Sequence, residues 1–253
     1  MSKKKKQRIN EYDQNPAETI KKTYKKKRRV RRLRVFLILL IAVALGAYFY
    51  SPYSRLQTIH ISGNHFISNE EIQQAMNCDE DSIRLFCWSS AIKDRVSKIS
   101  GIKSVAVEKS IFDGLIVSVT ESAPIAYQMQ EGNAKVLFDN GTMKDISDPE
   151  LIRKVQSLPQ LSQFNDEEIL KQFAENFAQV DESVRTQLSD IMFEPQESDP
   201  LRVKLLSDDN KESYVRIDDM VYQLQYYNTV VSQNSENCYF DFLGGHVYQR
   251  ACD

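Results

Sequence analysis

The sequence predicts an α+β protein that is anchored in a membrane by one helix. Three observations support this prediction. Sixteen uncharged residues, 35–50, follow a strongly basic leader. Residues 54–125 show the periodicities of strand, helix, helix, strand and strand in that order, and residues 126–253 combine short strand patterns with amphipathic helices. Sheets covered on one face by helices form an α+β arrangement, which fits both parts of the chain.

The apolar segment is long enough to cross a bilayer once its flanks are included. Sixteen helical residues reach about 24 Å, whereas the hydrocarbon core is about 30 Å thick. Leu33 adds apolar length, and the stem of Arg34 can extend toward the head groups. Pro52 is expected to end the helix, and three tyrosines suit the opposite interface, Tyr48, Tyr50 and Tyr53. We therefore expect a transmembrane helix at residues 35–53, with a crossing from about Leu33.

The charge distribution predicts the orientation of this helix. Residues 1–34 hold 15 of the 33 Lys+Arg and 3 of the 35 Asp+Glu, a net charge of +12, which leaves −14 for residues 35–253. Lys and Arg near one end of a span keep that end in the cytoplasm. We expect a disordered cytoplasmic tail at residues 1–34 that contacts anionic lipid rather than nucleic acid, with the rest of the chain outside the cell.

Two other interpretations of the apolar segment stay open. A helix buried in a soluble core could be equally apolar, although the preceding run of Lys and Arg argues against it. A cleaved signal peptide is the second alternative, because Ala44-Leu45-Gly46 resembles a small-residue cleavage site. The leader is long for a signal peptide, and the apolar run exceeds its usual length of about 7–15 residues. An uncleaved anchor is the interpretation we adopt.

The first outer segment has clear start and stop signals. Alternation predicts a strand over Leu56–Ser62, followed by a turn at Gly63. Ser68 and Glu71 form a capping box at the start of an amphipathic helix. A second helix is predicted over Ser90–Ser100, ending at Gly101. Two strands joined by an Asp-Gly hairpin turn complete the segment, with Val105 and Val107 in the first, Asp113-Gly114 in the turn, and Leu115, Val117 and Val119 in the second.

Three stretches carry a family resemblance: Leu56–Asn64, Ile67–Ile72 and Val117–Ala126. Together they resemble the POTRA domain of the FtsQ/DivIB family of bacterial division proteins. The resemblance implies a short cytoplasmic tail, one membrane helix, a POTRA domain at residues 54–125 and a β-rich partner-binding domain at residues 126–253.

The second half continues this resemblance. Its segments include a hairpin in which Asn140-Gly141 would supply positive φ angles, a helix capped by Asn165, and paired strands around a polar turn. Gln223 stands where the family commonly has Lys. The chain ends soon after Arg250, so we assign no role to the extended tail of many relatives. The matching segments are 137–143, 158–161, 188–191, 202–206, 214–217, 224–227 and 238–243.

The four cysteines all lie on the side predicted to be outside, where disulfides persist. Sequence neighbours suggest pairing Cys78 with Cys87, and Cys238 with Cys252. A hairpin with a three-residue loop at 244–246 would pair residue 243 with 247 and therefore 238 with 252. Free, partly buried thiols remain the alternative.

No constellation of catalytic residues is evident. The histidines His60, His65 and His246 are scattered, and the metalloprotease, nucleophile-elbow and phosphate-loop motifs are missing from the sequence. Cys238, His246 and Cys252 could serve as zinc ligands, but their spacing matches no compact metal site. We predict no catalytic, cofactor-binding or metal residue. A wall hydrolase or zinc protein with an unrecognised site, or a sensor that signals inward, remain the alternatives.

Protein interaction is therefore the class of function that we predict. The resemblance implies that the C-terminal part of the β-rich domain binds the coiled-coil division proteins DivIC (FtsB) and FtsL, and acts indirectly on septal peptidoglycan synthases. An exposed edge strand is suited to such binding. We expect the chain at the division septum, with five residues near the partner surface, Tyr239, Phe240, Phe242, Tyr248 and Arg250.

Overall fold

The computed structural model describes residues 16–110, 114–130 and 132–252, and for residues 16–28 it describes the backbone alone. The first 15 residues of the basic tail and Asp113 of the predicted hairpin turn lie outside the described residues. The described chain forms two compact units. The first contains the residues up to Gln57 together with Asp81–Phe86, and the second contains Thr58–Glu80 and the residues from Cys87 onward.

One long helix dominates the first unit. Helix α1 covers Pro16–Tyr50, and its part suited to cross a membrane is Arg29–Tyr50, 22 residues long. The prediction of a disordered tail is wrong from Pro16 onward. Lys and Arg are good helix formers, the segment from 17 to 45 contains no Gly or Pro, and Pro is favoured at the first helical position. The helix ends before Pro52, which begins a short 3-10 turn, Pro52–Ser54.

The second unit begins with the strand, helix, helix, strand, strand order that the sequence predicts. The sheet has the order β1-β3-β2, with β1 parallel and β2 antiparallel to β3. Ser68 caps the first of the two helices, as predicted, by accepting from the Glu71 N–H. The bounds are β1 Ile59–Ser62, α2 Asn69–Met76, α3 Ser89–Val96, β2 Ile102–Ser110 and β3 Gly114–Glu121.

Gly63 permits the close approach that follows β1. Its φ is +87°, and a Cβ at this position would lie 2.1 Å from the carbonyl oxygen of Val119. A side chain would therefore clash with the backbone of β3, and the left-handed conformation would add further strain.

The remaining strands form one nine-stranded sheet. Its order is β12-β11-β10-β9-β8-β7-β4-β5-β6, so β12 and β6 are the two edges. The bounds are β4 Pro124–Gln130, β5 Asn133–Phe138, β6 Met143–Ile146, β7 Gln160–Ser162, β8 Leu188–Phe193, β9 Arg202–Ser207, β10 Glu212–Arg216, β11 Asn237–Asp241 and β12 Tyr248–Ala251. The helices between them are α4 Pro149–Val155, α5 Glu167–Phe177, α6 Glu182–Arg185, α7 Met220–Leu224 and α8 Tyr227–Gln233.

The main core lies between one face of this sheet and its helices. Phe173 and Phe177 of α5, Leu224 of α7 and Tyr227 of α8 are all at most 1% exposed and belong to one apolar cluster. The opposite face of the C-terminal strands carries longer polar side chains. This difference decides which residues of β9 to β12 are accessible.

Two local predictions need correction. Asp166, rather than Asn165, caps α5, because its carboxylate accepts from the N–H groups of Glu168 and Ile169. In the hairpin of β5 and β6, Gly141 alone has a positive φ, +78°, whereas Asn140 does not. The turn is therefore a three-residue loop with a left-handed final residue rather than a two-residue primed turn.

The helices and loops beside the three-stranded sheet contact β6 and the turn before it, at one edge of the nine-stranded sheet. Lys144 Nζ on β6 donates to the Glu71 carboxylate at 2.5 Å, and the Gly101 N–H donates to Thr142 Oγ1 at 3.0 Å. The carboxylate of Glu71 therefore has a partner on β6, whereas the capping box predicts that it bonds to the Ser68 backbone. Residues beside the three-stranded sheet therefore contact the β6 edge of the nine-stranded sheet. Strand β12 forms the opposite edge.

Candidate functional site

The two C-terminal strands separate the five predicted partner residues onto two faces. Phe240 and Phe242 are 0% and 4% exposed and belong to the main core, and the Phe242 ring lies 6.0 Å from that of Tyr227 on α8. Successive residues of a strand point to opposite faces, so Tyr239 lies on the open face. Phe240 and Phe242 therefore pack in the core and leave the exposed surface of the hairpin to others of the five residues, among them Tyr248 and Arg250.

The hairpin register differs by one residue from the predicted one. Tyr239 pairs with Arg250 and Asp241 with Tyr248, whereas a pairing of 243 with 247 would have placed Tyr239 opposite Ala251. An irregularity between Asn237 and Tyr239 shifts the register by one further residue, so that Asn237 lies opposite Ala251. Cys238 and Cys252 are joined in a disulfide with a Cα–Cα distance of 4.8 Å.

A row of aromatic and guanidinium groups crosses the open face of β9 to β12. Each member contacts at least one other, with tilted or edge-on tyrosine rings, and we call the row the aromatic ladder: Arg202, Tyr214, Tyr239, Tyr248 and Arg250. The Arg202 guanidinium lies 4.1 Å from the Tyr214 ring centre, and that of Arg250 lies 4.9 Å from the Tyr239 ring centre. The Tyr239 ring centre is 5.3 Å from that of Tyr214 and 6.2 Å from that of Tyr248. Such contacts are favourable and hold the side chains in place.

Exposure increases along the aromatic ladder toward the sheet edge. Tyr214 is 7% exposed, Tyr239 is partly buried, and Tyr248 at the edge is 65% exposed. Burial raises the pKa of the Tyr214 hydroxyl, and burial followed by the nearby Asp241 raises the pKa of Tyr239. Both hydroxyls are therefore protonated at neutral pH and present donors on this face.

One ion pair borders the aromatic ladder. Lys204 Nζ donates to Glu212 Oε1 at 2.7 Å, and this hydrogen bond raises the pKa of the Lys204 ammonium. Lys204 pairs with Tyr214, and Glu212 pairs with Tyr239 across the strands. Beside this ion pair the face presents Tyr and Arg side chains, two residue types that are enriched in protein–protein interfaces.

The backbone of β12 presents hydrogen-bonding groups outward from the sheet. The Cys252 N–H donates to Glu236 O at 3.3 Å, so its backbone points toward β11. Backbone groups of successive residues alternate between the two sides of a strand, so those of Gln249 and Ala251 point away from the sheet. On the other side of β11, the Phe242 N–H donates to Tyr214 O at 3.0 Å, which agrees with this alternation. An incoming strand could complete the ladder at this edge.

A separate groove lies between α7, α8 and the loop at residues 242–247. Its volume is about 680 Å³, and its lining includes Tyr222 and Tyr226. These side chains are 75% and 63% exposed, whereas Tyr227 is 1% exposed. The adjacent tyrosines 226 and 227 thus have opposite roles, one at the surface and one in the core.

The zinc alternative loses two of its three ligands. Cys238 and Cys252 are joined to each other and offer no thiolate. Within the described ranges, no group of three or more His, Cys, Asp or Glu residues could hold a metal ion. The second disulfide joins Cys78 and Cys87 with a Cα–Cα distance of 6.1 Å.

A protein-family model matches residues 54–122, and its description is POTRA domain, FtsQ-type. The chain is similar to the cell division protein DivIB of Erysipelothrix rhusiopathiae, with 26% identity over 224 residues that cover 86% of this chain and 81% of the relative. DivIB of Brevibacillus brevis is 27% identical over 217 residues, 84% of this chain and 81% of the relative.

A solved structure also matches, that of the major extracytoplasmic domain of the trans isomer of the division protein DivIB from Geobacillus stearothermophilus. It is 20% identical, with a TM-score of 0.38, and the match covers 45% of this chain and 93% of that one.

Proposed function

Because the chain belongs to the DivIB/FtsQ family of cell division proteins, we propose that it is a non-enzymatic scaffold of the division machinery. In this proposal its outer part binds a DivIC/FtsB-like and an FtsL-like protein. Through them it stabilises and regulates septal peptidoglycan synthesis. Any catalysis belongs to the synthases that the assembly organises.

The proposed arrangement follows from charge and hydropathy. Residues 1–34, with a net charge of +12, stay in the cytoplasm and contact anionic lipid, and residues 35–53 cross the membrane. Outside, residues 54–125 form the POTRA domain and residues 126–253 form the partner-binding domain. Both disulfides belong to the outer part, where oxidising conditions would maintain them.

The observation that supports partner binding most strongly is the outer side of β12, along which no other strand of the described residues pairs. The outward backbone groups of Gln249 and Ala251 can pair with an added strand. Tyr248 and Arg250 lie on the same strand as exposed side chains of the aromatic ladder, so backbone pairing and side-chain recognition are available together. We place the DivIC-like partner at this edge.

A matched pair of variants at Gln249 tests the backbone contact. Gln249→Pro removes an N–H that points away from the sheet, whereas Gln249→Ala keeps it; both lose the hydrogen bond that Gln249 accepts from Asn237. Pro is tolerated where the edge N–H faces solvent. We expect Gln249→Pro to bind the outer domain of the DivIC-like partner about tenfold more weakly than Gln249→Ala, measured by titration of purified proteins. Equal affinities would place the partner elsewhere.

Tyr248→Ala tests the side-chain contribution, and Tyr226→Ala is its matched control. The two tyrosines are 65% and 63% exposed, so their truncation removes similar surface. We expect a loss of about tenfold in partner affinity for Tyr248→Ala, because tyrosine is a frequent binding hot spot, and little change for Tyr226→Ala. The reverse result would assign binding to the groove beside α7 and α8.

Topology and localisation are tested in cells. Protease added to cells without their wall should digest the outer part and spare the basic tail. A fluorescent fusion should form a ring at the division septum. Protection of residues 54–253, or uniform fluorescence along the membrane, would contradict the proposed role.

A further inference from the structure

The segment closed by Cys78 and Cys87 exposes two large apolar side chains, and the residue directly after Cys87 is also exposed. Leu85 is 54% exposed, Phe86 is 64% exposed and Trp88 is 65% exposed. Burying such side chains is favourable, so their clustering in one short stretch indicates a contact surface rather than solvent-exposed loop sequence. We call Leu85 and Phe86 the apolar tip.

The residues leading to the apolar tip are fixed to those that follow the membrane helix. The Arg84 N–H donates to Ser54 O at 2.8 Å, and the Leu56 N–H donates to Ser82 O at 3.0 Å. Arg55 also pairs with the Asp81 carboxylate at 3.1 Å. These residues belong to one compact unit with α1, so the position of Leu85 and Phe86 relative to the helix end is defined.

A ring contact gives the depth of Phe86. Its ring lies 6.3 Å from that of Phe49, and the two planes differ by only 10°. Phe49 is in the last turn of α1, which ends at Tyr50, so its ring lies near the outer end of the proposed crossing at residues 35–53. The interfacial layer on each side is about 5–7 Å thick. A ring within 6.3 Å of Phe49 therefore lies at the level of this layer.

We propose that the apolar tip is a second membrane contact, in which Leu85 and Phe86 insert into the lipid interface beside the end of α1. The occupant is lipid, because the surface is continuous with the membrane-spanning helix. This inference goes beyond the proposed scaffold function and rests only on the membrane anchorage of the chain. Partner binding at β12 can fail without affecting it.

The charges near the apolar tip indicate what drives insertion. Asp79, Glu80 and Asp81 precede it and outnumber Arg84 and Arg55, the latter of which pairs with Asp81, so the segment carries no net positive charge that would attract anionic head groups. Apolar area, not attraction to negative lipid, therefore drives the contact. The insertion is accordingly the same in phosphatidylcholine vesicles and in vesicles that also contain phosphatidylglycerol.

The tryptophan of the chain provides the test, because Trp88 is its only one. Trp88 follows Phe86 by two residues, at most about 7 Å along the chain. The full-length protein is reconstituted into phosphatidylcholine vesicles in which part of the lipid carries bromine on the acyl chains. We expect bromine to quench Trp88 fluorescence and aqueous iodide to quench it poorly. Full access to iodide with no quenching by bromine would overturn the proposal.

Two double variants separate insertion from simple tethering. Leu85→Ser with Phe86→Ser should abolish quenching by brominated lipid and restore quenching by iodide. Tyr222→Ser with Tyr226→Ser removes two other exposed aromatics and should change neither. Quenching that persists in the first variant would mean that the anchor alone sets the depth of Trp88, and would overturn the proposal. Flotation with vesicles checks anchorage separately, and a chain that does not float would contradict the premise itself.

Discussion

Each of two segments is closed by a disulfide, but the two segments expose different kinds of surface. Their cysteines are separated by 9 and 14 residues. Between Cys78 and Cys87, Leu85 and Phe86 are exposed and no strand forms, apart from one isolated bridge to Arg55. Between Cys238 and Cys252, a hairpin buries Phe240 and exposes Tyr248. A short disulfide loop thus fixes chain position, while the neighbouring secondary structure decides which side chains face outward.

The largest expected difference concerns one phenylalanine from each segment. Phe240→Ala should lower the free energy of unfolding by about 3–5 kcal/mol, because it leaves a cavity in the main core. Phe86→Ala should cost at most about 1 kcal/mol in detergent, since its ring is 64% exposed and its ring contact is with Phe49. Chemical denaturation followed by circular dichroism measures both. Similar losses would show that the apolar tip is packed into the fold rather than displayed.

Removing each disulfide should have similar thermodynamic but different functional effects. Both loops are short, so replacing either cysteine pair by serine should cost about 3 kcal/mol through the unfolded chain. The Cys238→Ser, Cys252→Ser variant should also lose affinity for the DivIC-like partner. The Cys78→Ser, Cys87→Ser variant should keep that affinity but lose protection of Trp88 from iodide. If one variant lost both partner affinity and protection of Trp88 from iodide while the other lost neither, the two disulfide loops would not have separate roles.

Arg250→Ala should have a smaller effect on stability. The guanidinium contributes a cation–π contact to Tyr239 at the open face, which is worth about 0.5–1 kcal/mol at an exposed site. Arg153→Ala on α4 is the matched control, because its only described ion pair is a 4.0 Å contact with Glu150, and it should change stability by less than about 0.5 kcal/mol. Equal effects would contradict stacking in the aromatic ladder.

The smallest expected effect is a pH dependence that belongs to the C-terminal hairpin. Burial raises the pKa of Tyr239 in the folded state, so its contribution to stability is complete below the unfolded pKa of about 10 and is lost as pH rises through the folded pKa. Tyr239→Phe should therefore lose less stability than the parent chain above about pH 10. Urea midpoints at neutral and alkaline pH measure this. A parallel decline in both proteins would exclude Tyr239 as the source.

Periodicity predicted many of the local elements, although not α4, α6 or β7, and it did not predict the assembly of the large sheet. The β2–β3 and β9–β10 pairs are close in sequence and carry turn signals, so both follow from local patterns. Strand β7 instead joins β4 through a single pair, Tyr127 with Gln160, whose residues are distant in sequence. Non-local parallel pairing of this kind leaves no local signal.

The candidate site was also predicted only in part, because the arrangement of its side chains depends on elements that are distant in sequence. Alternation in a strand implies that about half of its side chains are buried, but the helices α7 and α8 decide that Phe240, not Tyr239, faces the core. The register already differs from the predicted one at Asp241 and Tyr248 beside the loop, and the irregularity between Asn237 and Tyr239 adds a second shift; an alternating pattern shows neither. The apolar tip was missed, although Leu85 and Phe86 beside Cys87 and Trp88 form an apolar run after an acidic stretch.

The stacking of Phe86 on Phe49 has a consequence for how the membrane helix can turn. An isolated single span can spin about its long axis without changing anything outside the bilayer. Here the segment Asp81–Phe86 is bonded to Ser54, Arg55 and Leu56 and must follow any such rotation. A neighbouring helix that selects one side of α1 within the lipid would therefore also set the azimuth of the segment that ends at Phe86.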